Sequence, residues 1–389
     1  TVSVLYWLAT PRVLIAFSSF FVHFLACPVS LMSTAELLAP YAHVASLKSK
    51  NLRDAFIDAV NDVVGAPAEH TTRVKGLIAK LHNASLLIDD IEDSATRRRG
   101  QPAAHLIFGT PLTMNAANMV IFDALAECIA IDRSTADVAG GAATKGERVG
   151  ETAVEIFQHE LAMLHHGQGQ DIYWRDTNRC PTADEYRKMV VNKTGGLFRL
   201  AVRLVMVGGD TERLADAVTE KLLAFTNHVS YLFQVLDDLL NLSSSDYHEK
   251  KTYCEDLSEG KFSFLTTHSV LAAQATGDTR LLRLLHTRPQ EVDVKRFCLQ
   301  LMSETGTFAH TRDTLATLSA ECSTMLDELA AAKMITTSPT TPLAERTLSR
   351  DGDDISRSPT GSTTVVPTAR LRGFVDRLAA AVPATDPAF

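Results

Sequence analysis

The chain has 389 residues, 46% of them apolar and 22% charged, a balance normal for a globular protein with a sizeable core. At ~150 residues per domain this length allows two or three domains, or one large helical domain with extensions. Lys and Arg number 38 against 46 Asp and Glu, and a net charge of −8 argues against a nucleic-acid partner, because a phosphate backbone needs a basic face.

Residues 1–32 form an apolar N-terminal segment in which VLIAFSSFFVHFLAC (13–27) carries no formal charge. That run alone is shorter than the ~20 residues that span a bilayer. A membrane anchor, a signal-like segment, and sequence preceding a start at Met32 compete as readings. MSTAELLAPYAHV, from Met32, reads as an ordinary soluble beginning and favours the last. From 33 to 334 the pattern is helical: apolar residues recur at spacings of three and four, as at Leu77, Leu81, Ala84 and Ile88, amid strong helix formers. Loops are expected at 133–150, which holds four glycines, and at 174–182, which ends in Cys180-Pro181. Residues 335–370, rich in Ser, Thr, Pro and Asp, predict a disordered insert, and 371–389 a C-terminal helix and tail, the helix docking back on the body. Six cysteines, at 27, 128, 180, 254, 298 and 322, show no metal-ligand spacing. Scattered thiols imply a reducing compartment and a cytoplasmic location, peripheral to an internal membrane if the first segment makes contact.

Two acidic clusters carry the chemistry. In LLIDDIED (86–93), Asp89 and Asp93 lie one helical turn apart on one face, with His82 and Ser85 continuing the polar stripe. Like charges at this spacing repel, and a divalent cation compensates; hard oxygen ligands suit Mg²⁺, which also takes water and phosphate oxygens. The second cluster, Asp237 and Asp238, sits in YLFQVLDDLLN (231–241), apolar enough to be buried, where unpaired carboxylates are costly. Two such clusters point to one shared metal site.

Basic residues stand where an anionic substrate needs them. Arg98 and Arg99 follow the first cluster at the end of the same predicted helix, Lys193 and Thr194 sit in NKTGG (192–196), Lys251 and Lys261 follow the second cluster, and Lys50 and Arg53 lie three apart on one helical face. Arg binds phosphate oxygens in bidentate fashion. With the acids they describe a pocket for diphosphates.

LLIDDIED with the following RRG, GQGQDIYWRD (167–176), NKTGG, FQVLDD (233–238) and EDLSEGKFSF (255–264) resemble, in order, the motifs of trans-isoprenyl diphosphate synthases, and most those of fungal geranylgeranyl diphosphate synthases. The resemblance covers about Ala39 to Ala330. It implies an all-α helical bundle around a deep central cavity, a homodimer, and a polyprenyl synthase domain over 33–334. By that resemblance Asp89, Asp90, Asp93, Asp237 and Asp238 bind a cluster of about three Mg²⁺ ions per active site. Arg98, Lys193, Thr194, Gln234, Lys251 and Lys261 match contacts to the allylic diphosphate, and Lys50, Arg53, His82 and Arg99 match the isopentenyl diphosphate site. Gln168 and Asp171 lie in a motif without an assigned role. Asn241 stands where many relatives have Asp, and Asn51 where Gly is usual.

The charges imply the mechanism: Mg²⁺ and the basic residues stabilise the leaving diphosphate, the allylic C–O bond breaks, the double bond of isopentenyl diphosphate attacks C1, and a proton leaves with the diphosphate as acceptor. Dimethylallyl, geranyl and farnesyl diphosphates are the expected primers. Ser85 and Ala84, four and five residues before Asp89, are small where farnesyl-making relatives carry bulky aromatics, and Ile121, Phe122 and His165 match deeper floor positions; a C20 product follows, which Ala84→Phe is expected to shorten to C15. A class I terpene cyclase is the rival enzyme, since Asn241, Ser245 and Glu249 fit its N-x-x-x-S-x-x-x-E spacing, but a cyclase has no use for a second diphosphate site. A regulatory subunit with a dead site predicts damaged acidic motifs, and both are intact. A prenyltransferase part of a fused diterpene synthase is the further alternative.

Overall fold

A computed structural model of the protein describes residues 35–47, 52–138, 151–209, 216–244, 253–336 and 362–387. Their order is α1 (Ala39–Ser46), α2 (Leu52–Val64), α3 (Ala68–Glu92), a hairpin of β1 (Arg97–Arg98) and β2 (Gln101–Pro102), α4 (Ala104–Phe108), α5 (Thr110–Val138), α6 (Ala153–Asp176), α7 (Ala183–Val207), α8 (Asp216–Ser243), α9 (Glu255–Glu259), α10 (Phe264–Gln274), α11 (Arg280–Thr287), α12 (Val292–Glu304), α13 (Thr307–Ala331), a hairpin of β3 (Lys333–Thr336) and β4 (Ser362–Val365), and α14 (Ala369–Ala380). The all-α expectation holds.

Local sequence sets the long helices. Thr152 opens α6 and Thr182 opens α7, each accepting from the backbone of the Glu three residues on (Glu155, Glu185), whose carboxylate reaches back; both are complete capping boxes. The α7 box lies directly after Pro181, which ends the preceding loop. That loop is shorter than expected, because α6 runs on to Asp176. α5 likewise continues to Val138, and 139–150 lie outside the described residues.

α8 is the centre of the core. Val218, Leu222, Phe225, Val229, Leu232 and Val235 are all fully buried on it. α7 packs on it from one side and α13 from another; α6 covers α7, α3 crosses α7, and α5 lies along α3 and α6. This arrangement leaves a space walled by α2, α3, α5, α6, α7 and α8. Paired strands at Ile335–Thr336 and Ser362–Val365, and the start of α14 at Ala369, occupy both ends of the expected insert, so only 337–361 falls outside the described residues there. Residues 1–34, and with them the whole N-terminal segment, also lie outside. The five described cysteines are free thiols, four of them buried.

Candidate active site

A cavity of about 310 Å³ opens between these helices. Because α3, α6 and α8 run toward its mouth and α7 runs away, each contributes polar residues at one level and apolar ones below. On α3, Asp93 and Asp89 stand above Ser85 and Leu81; on α7, Lys193 and Thr194 stand above Leu197 and Phe198; on α8, Asp237 and Gln234 stand above Phe233.

Asp89 and Asp93 both line the cavity, as their four-residue spacing predicts. Asp90, one residue on, does not reach its wall; it is 1% exposed and pairs with Arg98. Arg98 is not at the end of α3 as expected. The helix stops at Glu92, the Ala95 N–H turns back to the Asp90 carbonyl (2.9 Å), and Arg99 and Gly100, both at positive φ, form the two-residue turn of the β1–β2 hairpin. The reversal brings Arg98 back over the acids, with Nε 2.7 Å from Asp90 Oδ1 and Nη2 3.4 Å from Asp89 Oδ2. Those carboxylates hold its guanidinium pKa up against burial.

Gly167 lets α6 lie against α7, since a Cβ there would sit 2.5 Å from the Lys193 backbone nitrogen. The close crossing places Gln168 and Asp171 beside Lys193. Asp171 accepts from Lys193 Nζ at 2.6 Å, and Gln168 donates to Glu92 at 2.7 Å and to Asp89 at 3.4 Å. The neighbouring acids keep the Lys193 ammonium charged although burial opposes it. Arg175, one turn beyond Asp171, pairs with Asp93 and donates to the Glu92 carbonyl at 2.9 Å. Burial, with the Asp89 charge adding, pushes the Asp93 carboxyl up to about 6.

On α8, Asp237 faces the cavity and Asp238 turns into the core. Asp238 accepts from the Phe264 N–H (2.7 Å), from Gln234 Nε2 (2.8 Å) and from the Tyr186 hydroxyl; burial pushes its carboxyl up against these donors. Thr194 donates to Gln234 Oε1 at 2.6 Å and so orients that amide. Lys261, Asp256 and Glu259 complete the mouth. Asn241 is buried, and its side-chain oxygen accepts from the Asp256 N–H at 3.1 Å, which anchors α9 rather than facing the cavity.

Arg53 and His82 also line the cavity. Burial pushes the His82 imidazole well below its usual pKa, with Arg53 and Arg99 adding to the effect; burial and Arg99 lower Arg53 to about 10. Arg99 itself donates to the Leu47 carbonyl at 3.1 Å. Lys50 and Lys251 lie outside the described residues, as do Ser245 and Glu249.

Lower down, Ser85, Ile121 and His165 line the cavity. Ala84 and Phe122 do not. Ala84 is 0% exposed in a separate cluster with Val44, Ala104, Ala117 and Val120, because one residue's rotation turns it from the cavity toward α1, α4 and α5. Phe122 is 69% exposed on the outer face of α5. Sequence reasoning missed Arg175, Tyr186, Asp256 and Glu259. Arg175 was within reach, as Gln168, Asp171 and Arg175 share a helical face at spacings of three and four; nothing local marks Tyr186 as a partner for Asp238.

Fold and site together define an all-helical protein with one deep cavity, charged at its mouth and apolar below. The Polyprenyl synthetase family model matches residues 34–302, and the chain belongs to that family. It is 39% identical over 292 residues to a geranylgeranyl pyrophosphate synthase of Metarhizium robertsii, covering 75% of this chain and 80% of that one. A geranylgeranyl pyrophosphate synthase of Macrophomina phaseolina is 41% identical over 294 residues (76% and 83%), and one of Aspergillus versicolor 38% over 298 (76% and 72%).

Proposed function

We propose that the protein is a prenyltransferase of the geranylgeranyl diphosphate synthase type, condensing isopentenyl diphosphate with allylic diphosphates. One observation carries this reading: carboxylates from α3 and α8 share a cavity mouth with Arg98, Lys193 and Lys261, above an apolar chamber. Six carboxylates face four cationic side chains there, a balance that repels a diphosphate unless further cations enter.

Among the described residues no three Asp, Glu, His or Cys side chains converge tightly enough to hold a metal ion by themselves. The donor set nonetheless fits Mg²⁺, which takes one or two carboxylates and completes its shell with water and substrate phosphate. Asp89, Asp93 and Asp237 would hold it; Asp90 and Asp238 would support them from behind. Bound there, Mg²⁺ neutralises charge on the departing diphosphate.

The protein's own residues do the rest. Lys193, held by Asp171, and Arg98, Lys261, Thr194 and Gln234 bind and orient the allylic diphosphate. Arg53, Arg99 and a neutral, hydrogen-bonding His82 bind isopentenyl diphosphate beside it, so that its double bond faces C1 of the allyl group. Leu161, Leu164, Leu197 and Phe233 keep water from the cation, and the released diphosphate takes the proton. The growing chain descends past Ser85 toward Ile121 and His165, which supports C20.

A homodimer is supported by exposed large apolar side chains, Phe122 on the outer face of α5 and Leu106 and Ile107 on α4. By length and composition 110–135 could also cross a membrane, but it packs along α3 and α6. The cyclase reading loses its first metal residue to the Asn241–Asp256 hydrogen bond.

Incubation with labelled isopentenyl diphosphate and each allylic primer, with and without Mg²⁺, tests the proposal. Geranylgeranyl diphosphate formed only with Mg²⁺ is expected; a hydrocarbon from geranylgeranyl diphosphate alone would establish a cyclase instead.

A further inference from the structure

α14 lies beyond the matched family span of 34–302, yet it touches the wall of the site. Its buried face, Leu371, Phe374, Val375 and Leu378, packs on α2 and α13. The Phe374 ring lies 5.3 Å from Phe56 of α2, Phe56 lies 5.0 Å edge-on to Phe198 of α7, and Phe198 lies 5.8 Å from Phe233 of α8. Phe198 and Phe233 line the cavity. Arg370 reaches Asp62 on α2 at 3.2 Å, while Arg372 grips Asp327 on α13 at 2.6 Å, so α14 ties α2 to the central bundle.

α2 carries Arg53 in its first turn. Arg53 precedes Phe56 by three residues, so both lie on one side of the helix, and both border a small void beneath the mouth. A shift of Phe56 therefore moves Arg53. Rings at 5–6 Å make interlocked contacts that transmit such shifts, because packed interiors resist compression.

We propose that α14 is a positioning element for isopentenyl diphosphate: Phe374, acting through Phe56, sets where Arg53 stands. This rests on the assignment of Arg53 to that substrate. Displacement by a fraction of an ångström at a substrate-positioning group costs several-fold, and 1 Å up to about 10²-fold. The effect falls chiefly on one substrate, since α14 grips α2 and α13 through its ion pairs and most of its buried face, and its contact with α8, which carries Asp237, is the slighter one.

The test is steady-state kinetics of the full chain with Phe374→Leu, Phe374→Val and Phe374→Ala, alongside Met302→Ala, which removes a buried side chain from α12, remote from α2. KM for isopentenyl diphosphate is expected to rise through the series to about fivefold or more in Phe374→Ala, while KM for the allylic substrate and kcat stay within about twofold; Phe374→Leu should stay near wild type. Phe374→Val supplies the readout should the alanine variant not fold. Equal rises in both KM values, or a loss of thermal stability alone as expected of Met302→Ala, would overturn the proposal. Arg53→Ala checks its premise separately: an unchanged KM for isopentenyl diphosphate there would refute the assignment of Arg53, whatever Phe374 does.

Discussion

A helix turns about 100° per residue, and at this site that rotation decides which side chain meets substrate. Asp89 reaches the cavity and Asp90 the guanidinium of Arg98; Asp237 reaches the cavity and Asp238 the hydroxyl of Tyr186. The same rotation separates Ser85, on the cavity wall, from Ala84, packed against α5. Product length should therefore answer to Ser85. Ser85→Phe is expected to shorten the main product from C20 to C15, read by chromatography of the dephosphorylated alcohols. Ala84→Phe should leave the length unchanged and instead cost about 1–3 kcal/mol of stability through overpacking, read by denaturant unfolding. A C15 product from Ala84→Phe with C20 retained in Ser85→Phe would reverse this assignment. The sequence placed both residues next to the chain path, because periodicity along one helix is legible. Which of two adjacent small residues faces the cavity depends on where α5 lies, a long-range fact no local pattern encodes.

Among the elements, those with a strong apolar signal were readable. The apolar run around Asp237 marks a buried helix, whereas the capping boxes at Thr152 and Thr182, local signals too, went unread beside the expected loops at 133–150 and 174–182. The hairpin at 97–102 was not read, although Arg99-Gly100 supplies its turn; strong helix formers upstream suggested continuation, and the reversal shows itself only once Arg98 lies over Asp89. α5 reads as an ordinary core helix, but Phe122 stands exposed on its outer face, between Asn118 and Ala126. Burying a side chain of that size contributes about 1.5–3 kcal/mol per copy, and a two-fold contact doubles it. Phe122→Glu is expected to convert a dimer to monomer at micromolar concentration, measured by sedimentation velocity. A wild-type monomer, or a dimer indifferent to this charge, would move the interface elsewhere.

On the scale of the whole molecule, the surplus of eight negative charges first suggested a protein that avoids phosphates. Its acids are not spread evenly: six carboxylates line the cavity, and the structure already holds two of these and two neighbouring acids against cations, Asp89 and the buried Asp90 by Arg98, Asp93 by Arg175, and the buried Asp171 by Lys193. Compensation from within has a consequence for metal removal. Carboxylates neutralised by the protein's own arginines and lysine do not need Mg²⁺ in order to fold, so chelation by EDTA should abolish turnover while shifting the thermal midpoint by no more than about 2 °C, roughly 1.5 kcal/mol for a chain of this size. Mg²⁺ added with inorganic diphosphate should raise the midpoint, because that complex binds only the folded state. The same site predicts a pH limit. Asp93, pushed up to about 6, is ionised above that value and protonated below it, and a protonated carboxyl is a poor ligand. The Mg²⁺ concentration for half-maximal rate should therefore climb as pH falls through 6 and stay flat above about 7. Loss of folded structure on chelation, or a Mg²⁺ requirement indifferent to pH between 5.5 and 7, would mean that the acids at the mouth hold the bundle together rather than wait for a substrate.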